Sequence, residues 1–472
     1  MKTLKYLLMM FVAVFLMACN SSNKNNPFGK WYSIKPDQSF YDWTPSNNNG
    51  NYHCSGKGDT LVMTGRNALY YSGELCDTKF KNFEMSAEIK TETGAVGGIW
   101  VHSGDISGYL IVINNTSGGE ERRKTGSLSD IRNIYKSMAA NDEWFTITVK
   151  IVDKHITVKV NELLIVDYVE PDVLYRSKQN AGMRLSQGTF ALCNYTDYSI
   201  KVGKMIVKPL PDDEQPERTD DATDEQNDPI FRLLQDGFPV IDYHVHLKGW
   251  NQEQAMDYSR TTGIFYGIAP NCGLGFPITS DDDIVTFLDT TKNLSCFRAM
   301  QGEGREWVTT FSEESRKRFD YVFTDAMTFN DHKNRRTRLW IPEEVFIDIS
   351  SEKYMDIIVD RIIKVLNQEP IDIYVNPTFL PEQMMPDYDI LWTDARIKRV
   401  INALADNGIA LEINARYHLP SEKIILAAKS AGIKFALGTN NGDANIGKLE
   451  YCIEMIEKCG ITKHDMFFPA KE

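Results

Sequence analysis

His244 and His246 stand one residue apart at the end of the apolar run Phe238, Pro239, Val240, Ile241. On a β-strand, side chains two positions apart project to one face, so two imidazoles in this spacing could grip a single metal ion. With a carboxylate beside them they would suit Zn, Mn or Fe, and such a divalent metal lowers the pKa of a bound water. The same pair could instead be two hydrogen-bonded histidines in a strand mouth. Further polar residues follow other apolar segments: Asn271 and Cys272, Glu303 and Arg305, Asp325, Asn376, Glu412 and Asn414, then Asn440, Asn441 and Asp443. Strand ends and caps favour Asn and Asp, which accounts for Asn440 and Asn441. It accounts less well for Glu303 and Glu412, so a polar constellation at one end of a barrel is expected.

Two routes to chemistry follow. In the first, His244, His246 and Glu303 hold one metal, Asp325 or Asp443 completes the shell, and Glu303 or Asp325 moves the proton. In the second, no metal takes part: Glu303, Asp325 and Glu412 act as acid and base on a sugar, one of them raised in pKa by crowding with the others. Arg305 is a further catalytic candidate, and Asn376, Asn414, Asn440, Lys248 and Arg416 would hold substrate. Lys248, Arg305, Arg335, Arg336, Arg338 and Arg416 all fall on loops after strands, which hints at an anionic substrate such as a sugar phosphate or uronate. They could equally serve to neutralise the carboxylates of the mouth.

The elements that must position these groups are legible as patterns. Apolar segments at 239–246, 263–268, 294–302, 319–325, 371–377, 409–414 and 433–439 read as seven strands. Amphipathic helices fall between them, for instance at 354–366 after Ser350, at 393–407 before Gly408 and at 421–430 before Gly432. Alternating strands and helices demand a parallel sheet, which closes here into a TIM-like barrel with its active residues on the loops after the strands. The first half differs. Phe145, Ile147, Val149 and Ile151 alternate with polar residues, a turn at Asp153 and Lys154 follows, and Ile156, Val158 and Val160 continue the alternation. Short runs at 83–92, 98–102, 109–114 and 200–207 complete an all-β sandwich at 28–210. Between them, 211–228 is acidic and almost free of apolar side chains, which predicts a solvated linker to the barrel at 229–472. A net charge of −13 excludes nucleic acid as a partner, since no basic stripe offers to neutralise phosphates.

The barrel motifs resemble the PHP (polymerase and histidinol phosphatase) family of metal-dependent phosphoesterases, whose fold is a distorted seven-stranded barrel. His244-Val245-His246 matches the opening motif, Gly302-Glu303 the third-strand glutamate, Glu412-Ile413-Asn414 the sixth-strand motif and Gly438-Thr439-Asn440 the closing one. The resemblance implies a metal-dependent hydrolase. The chain departs from it at Thr324-Asp325-Ala326-Met327, Asn376-Pro377 and Asn440-Asn441, where the family places imidazoles and a final Asp. Three missing histidines imply that the multinuclear cluster is not kept unchanged.

The first half resembles the 3-keto-disaccharide hydrolase family, a concanavalin-like jelly roll. The matching pieces are Gly97-Gly98-Ile99-Trp100-Val101-His102, Gly108-Tyr109-Leu110-Ile111-Val112-Ile113 and Thr125-Gly126-Ser127-Leu128. The family carries an Arg where His102 stands, and a Glu and a Gln where Leu110 and Val112 stand, so the resemblance implies sugar binding more than hydrolysis. Gly98, Trp100 and His102 are expected on one side of their strand, an aromatic plate with a polar edge for a pyranose; Trp100 could also be sandwich core.

Lys2 and Lys5 precede an apolar stretch that ends Leu16-Met17-Ala18-Cys19. That is the form of an export signal at 1–18, too short to span a bilayer. It resembles the lipobox of bacterial lipoproteins, which implies lipid on Cys19, a tether at 19–27 and, with no aspartate after Cys19, an outer-membrane destination in the cell envelope. Only that lipid is expected to meet the membrane. Eight cysteines are too few for a disulfide scaffold; Cys54 and Cys76 are a possible pair. The sequence thus reads as a multidomain exported lipoprotein, a jelly-roll sandwich followed by an α/β PHP-type barrel, acting on a glycan, glycoside or sugar derivative. The competing readings are a non-catalytic glycan binder with a degenerate barrel and a metal-free sugar lyase or isomerase.

Overall fold

The computed structural model describes residues 26–46, 51–55, 60–104, 108–219, 223–248, 251–442 and 445–469, with the backbone alone at 54 and 55. The export signal, Cys19 and Asp443 lie outside the described residues, as does most of the tether. No helix among the described residues is long and apolar enough to cross a membrane.

The first half folds as two facing antiparallel sheets. One joins β1 (Tyr32–Ser33), β3 (Asn51–Ser55), β4 (Thr60–Thr64), β6 (Asn82–Thr91), β9 (Phe145–Val152), β10 (His155–Val160), β11 (Leu163–Val169) and β13 (Ile200–Leu210). The other runs β2 (Trp43–Pro45), β5 (Asn67–Tyr71), β12 (Thr189–Asn194), β7 (Gly97–Ser103), β8 (Tyr109–Ile113). Alternation sets which side chains meet: Phe145, Ile147, Val149 and Ile151 are buried in the common core while Thr146, Thr148 and Lys150 are not. Asp153, at φ 52°, makes the turn between β9 and β10.

The second half closes a parallel barrel of seven strands. These are β14 (Ile241–Val245), β15 (Phe265–Ile268), β17 (Phe297–Gly302), β18 (Tyr321–Thr324), β21 (Ile373–Tyr374), β22 (Ala410–Asn414) and β23 (Phe435–Gly438), with β15 paired to β17. The two-residue β16 (Asn271–Cys272) lies along β17, and a short hairpin, β19 (Thr328–Asn330) and β20 (Arg336–Arg338), follows β18. The helices start and stop where their caps dictate. Ser350 accepts from Lys353 N ahead of Ser351–Gln368, and Thr393 accepts from Arg396 N ahead of Asp394–Asn407, which Gly408 ends in a left-handed conformation.

The barrel's interior is a filled core. Tyr243, Phe265, Phe297, Tyr321 and Phe323 stack edge to face or in parallel, with Phe297 and Phe265 rings 5.2 Å apart and Tyr243 and Tyr321 5.4 Å apart. The sandwich seals the end where the strands begin. Tyr135 packs its ring 5.6 Å from Phe265 and donates its hydroxyl to Phe238 O, Lys136 pairs with Asp320 at 2.6 Å, and Arg132 donates to Arg260 O and Thr261 O. All of these partners precede or open barrel strands. The opposite end, where the strands finish, is left to solvent.

The expectation of a solvated acidic linker needs correction. Glu225 is fully buried, accepting from Tyr168 Oη at 2.6 Å and pairing with Arg176 at 2.5 Å. Glu217 pairs with Lys150, and Arg218 with Asp167. Two acidic residues of the segment, Glu217 and Glu225, thus find cations of the sandwich, while Asp212, Asp213 and Asp224 are exposed.

Candidate functional site

The open end of the barrel is built from strand-end residues, and one irregularity determines how. The pairing of β14 to β15 slips between Asp242 and Val245, so β14 carries one more residue than its partner over this stretch. Such a bulge breaks the alternation of sides. Tyr243 and His244 consequently both contact the barrel interior: Tyr243 meets Tyr321, and His244 sits 4.7 Å from Phe323. Asp242, wholly buried, ties the bulge to the last loop by accepting from His244 N, Thr439 N, Thr439 Oγ1 and Gly447 N.

His244 does not present a free nitrogen. Its Nδ1 lies 2.7 Å from Glu412 Oε1 and its Nε2 lies 3.2 Å from Gln301 Oε1. Burial opposes a charge on this ring, but the Glu412 carboxylate and its hydrogen bond outweigh it and lift the imidazole above its ordinary range. His244 and Glu412 thus form a buried, hydrogen-bonded pair that favours the charged imidazole. Gly438 makes room for the pair: a Cβ there would stand 2.2 Å from Glu412 Oε1 and 3.0 Å from His244 Cβ. Gln301, with its carbonyl oxygen taken by His244, keeps its amide nitrogen for the cavity that it lines.

His246 is a different histidine. Its Nδ1 donates to Ala269 O at 2.7 Å, and its other hydrogen-bonding partner is the Asn440 side chain. Burial, with the neighbouring His244 charge, pushes it down to about 3, so the ring is neutral at physiological pH.

These groups enclose a cleft of about 420 Å³, lined among others by His246, Asn271, Gln301, Glu303, Asp325, Asn376 and Asn440. Phe276, Trp340 and Tyr417 supply apolar walls at its lip. Glu303 accepts from Asn271 Nδ2 at 2.6 Å; burial, then the nearby Asp325 carboxylate, push its carboxyl up to about 7. Asp325 accepts from Asn376 Nδ2 at 2.9 Å and from Met327 N. Asn376 takes the left-handed backbone at φ 46° and serves as the hub of the rim. It donates its N–H to Glu412 at 2.6 Å and accepts at Oδ1 from both Asn414 and Asn440.

The structure thus gathers Glu303, Asp325, His246, Asn376, Asn440, Lys248 and Arg416 on one cleft. Others of the sequence-based site residues it places elsewhere. Glu412 and Asn414 are buried beneath the rim, with Glu412 Oε2 accepting from Asn376 N and Asn414 Nδ2, so they position the surface residues and do not face the cleft. Arg305 turns away, donating to Glu369 at 2.9 Å and Thr324 at 3.1 Å, because Glu369 offers a buried carboxylate behind the strand ends. Gln301 was missed. Its signal is the alternation Phe297, Ala299, Gln301, Glu303, in which the first two belong to the barrel core and the last two line the cleft.

Of the donor set, Asp443 lies outside the described residues, and the members that are described do not gather as a metal shell. Among the described residues no group of three or more His, Cys, Asp or Glu side chains gathers as a metal shell, and His244 has spent both nitrogens on protein partners. No step is therefore routed through a metal.

On the sandwich, His102 departs from its expected place. The pairing of β7 to β12 slips by one residue between Trp100 and Ser103, and His102 takes φ 50°. That turns the imidazole into the core, 5.5 Å from the Phe83 ring, where Nε2 donates to Lys81 O and Nδ1 accepts from Ser186 N. Burial pushes it down to about 4. Trp100 and His102 thus do not share a side. Trp100 lies on the outer face in register with Ala191, beyond which stands Tyr70, and its Nε1 donates to Tyr195 Oη at 3.1 Å. Tyr70 and Tyr195 are each more than a third exposed, so Trp100 belongs to an open aromatic patch. Cys76 is a free thiol, and the side chain of Cys54, its possible partner, lies outside the described residues.

Residues 21–201 match the family described as the 3-keto-alpha-glucoside-1,2-lyase-like domain. Among solved structures the chain is similar to a proposed glycosyl hydrolase from Parabacteroides distasonis, at 17% identity and TM-score 0.32, over 39% of this chain and 100% of that one. It is also similar to the carbohydrate binding module CBM66 from Bacillus subtilis, at 14% identity and TM-score 0.26, over 35% of this chain and 95% of that one. A Bacillus subtilis protein of unknown function with a galectin-like fold is similar at 13% identity and TM-score 0.31, over 39% of this chain and 97% of that one. A comparison with curated proteins finds no match.

Proposed function

We propose that the chain is a carbohydrate-processing enzyme of the cell envelope, in which the sandwich binds sugar and the barrel mouth breaks a sugar bond by acid and base catalysis without a metal. The reading of the sandwich rests on its match to the 3-keto-alpha-glucoside-1,2-lyase-like domain and on the Tyr70, Trp100, Tyr195 patch. The reading of the barrel rests on one observation above all: Glu303, buried in the cleft, is held near pH 7, where it can both give and take a proton. Protonated Glu303 gives its proton to the glycosidic oxygen as that oxygen's bond to the anomeric carbon breaks, and the Asp325 carboxylate takes a proton from the water that forms the new bond to that carbon. The neutral His246 ring and the Gln301 and Asn440 amides orient hydroxyls, while Trp340 and Tyr417 offer faces for a pyranose. The Asp325 carboxylate keeps Glu303 basic enough to hold its proton until the leaving oxygen arrives.

The PHP-type strand motifs fit this reading as a scaffold, since they supply Glu303 and the His244 to Glu412 support, while the chemistry differs from the family's. The test is release of reducing sugar from a panel of glycans and aryl glycosides. Turnover is expected to survive a chelator and to fall about 10²- to 10⁴-fold in Glu303→Gln. Turnover that Glu303→Gln leaves intact overturns the assignment, and turnover abolished by chelation returns the metal-dependent route. The lipid anchor is part of the proposal: Cys19→Ala is expected to move the protein from the membrane fraction to the soluble one.

A further inference from the structure

We infer that the wide lobe beside the cleft is an anion subsite, holding an acidic group, carboxylate or phosphate, carried by the sugar that reacts at Glu303; this rests on the catalytic reading above. The mouth cations sort by partner. Arg305 pairs with Glu369, Arg335 with Asp331, and Arg338 with Glu344, so these three neutralise carboxylates of the protein itself. Arg336 lies apart, lining a separate depression with Arg361 and Lys364.

Lys248, Arg416 and Lys448 are different. All three are exposed and line a lobe of about 750 Å³, and none is in an ion pair among the described residues. Arg416 is held in place by its hydrogen bond to Asn440 O at 3.0 Å and by the Tyr417 ring 5.4 Å away; Lys448 Nζ donates to Asn445 Oδ1. Among the described residues, the acidic side chain that lines the lobe is Glu450, itself exposed. Three cations around one concavity repel one another unless an anion lies between them, and a guanidinium presents paired donors to a planar carboxylate or a phosphate. In a chain of net charge −13 they mark a local reversal of sign that draws anions to this point. The lobe is continuous with the catalytic cleft, since His246, Lys248, Arg416 and Asn440 line both. An acidic group seated there places the attached ring against Glu303.

The test is calorimetric titration of the full chain carrying Glu303→Gln, which binds without turning over, with glucuronate, glucose 6-phosphate and glucose. At least one charged sugar is expected to bind tenfold or more tightly than glucose, to weaken as NaCl rises, and to lose tenfold or more when Lys248→Ala and Arg416→Ala are added. Preference for glucuronate identifies a carboxylate, preference for glucose 6-phosphate a phosphate. Equal binding of all three sugars, binding of none, or affinities that the added substitutions leave unchanged overturn the subsite. Because both side chains are exposed, the fold should tolerate their loss; Lys448→Gln, expected to weaken binding by a smaller factor, carries the test if it does not. Turnover indifferent to Glu303→Gln would remove the catalytic reading and leave these affinities standing. Affinities indifferent to Lys248 and Arg416 would remove the subsite and leave Glu303 in its role.

Discussion

The two ends of the barrel are made from the same seven strands and have opposite characters. At the base, aromatic rings and a short list of hydrogen bonds from Arg132, Tyr135 and Lys136 join the barrel to the sandwich. At the mouth, carboxylates, amides and one imidazole crowd a cleft that is expensive to desolvate. The base spends little polarity and gains packing; the mouth holds Glu303 at a pKa that burial and Asp325 make unfavourable for its charged form. Strain of that kind persists where the surrounding structure enforces it, here through the buried layer of His244, Glu412, Asn376 and Asn414. The lesson is that the cleft surface and its support are separate layers, and that sequence position alone does not say which layer a polar strand-end residue joins.

Substitutions should separate the ends. Glu303→Gln carries the largest effect, the 10²- to 10⁴-fold loss of turnover given above, which corresponds to about 3–5 kcal/mol of barrier, with little change in melting temperature. Glu412→Ala should do the reverse of a purely catalytic change: it strips the partner of a buried imidazolium and costs about 3–5 kcal/mol of stability, read by chemical denaturation. If Glu412→Ala melts like the wild type, the support layer is not what holds the mouth.

A pH series sharpens the contrast further. Glu303, raised to about 7 from an ordinary 4.5, binds its proton earlier in the folded chain, so its contribution to stability is present at low pH and is lost as pH rises from 4.5 to 7. His102 and His246, lowered to about 4 and about 3, act oppositely: their contribution is present above 6.5 and is lost as pH falls through those values. The two trends offset one another in wild type. Glu303→Gln is therefore expected to lose stability more steeply between pH 7 and pH 5, by about 1–3 kcal/mol in denaturant titrations. A slope unchanged from wild type would show that Glu303 is not raised.

At the base, Lys136→Ala removes a half-buried pair with Asp320 and should cost about 1 kcal/mol or less while leaving turnover untouched. On the sandwich, Trp100→Ala should weaken retention on an immobilised glycan by about 1 kcal/mol with no change in melting temperature or in turnover of a small substrate.

Much of the architecture was legible. Apolar runs located all seven barrel strands, though the observed ones are shorter, as in Ile373–Tyr374 where 371–377 was expected. Ser350, Thr393 and Gly408 marked their helix ends because capping is local chemistry. The hairpin of Thr328–Asn330 and Arg336–Arg338 was not found, since strands of three residues are too short to show alternation. The rim was legible as a set of residues and not as an arrangement. Parity counted along a regular strand puts Trp100 and His102 on one face, and the slip between β7 and β12 undoes it. A bulge leaves no mark in the residue types, and whether Glu412 meets substrate or His244 depends on a partner 168 positions away.

The sealed base has a consequence for traffic. With Tyr243, Phe297 and Tyr321 filling the axis and the sandwich closing the floor, the cleft is a cul-de-sac whose entrance is also its exit. Under the proposed function, a polymer would not thread past Glu303; it would dip only an end or a short piece into the well, and each fragment would have to back out before the next arrived.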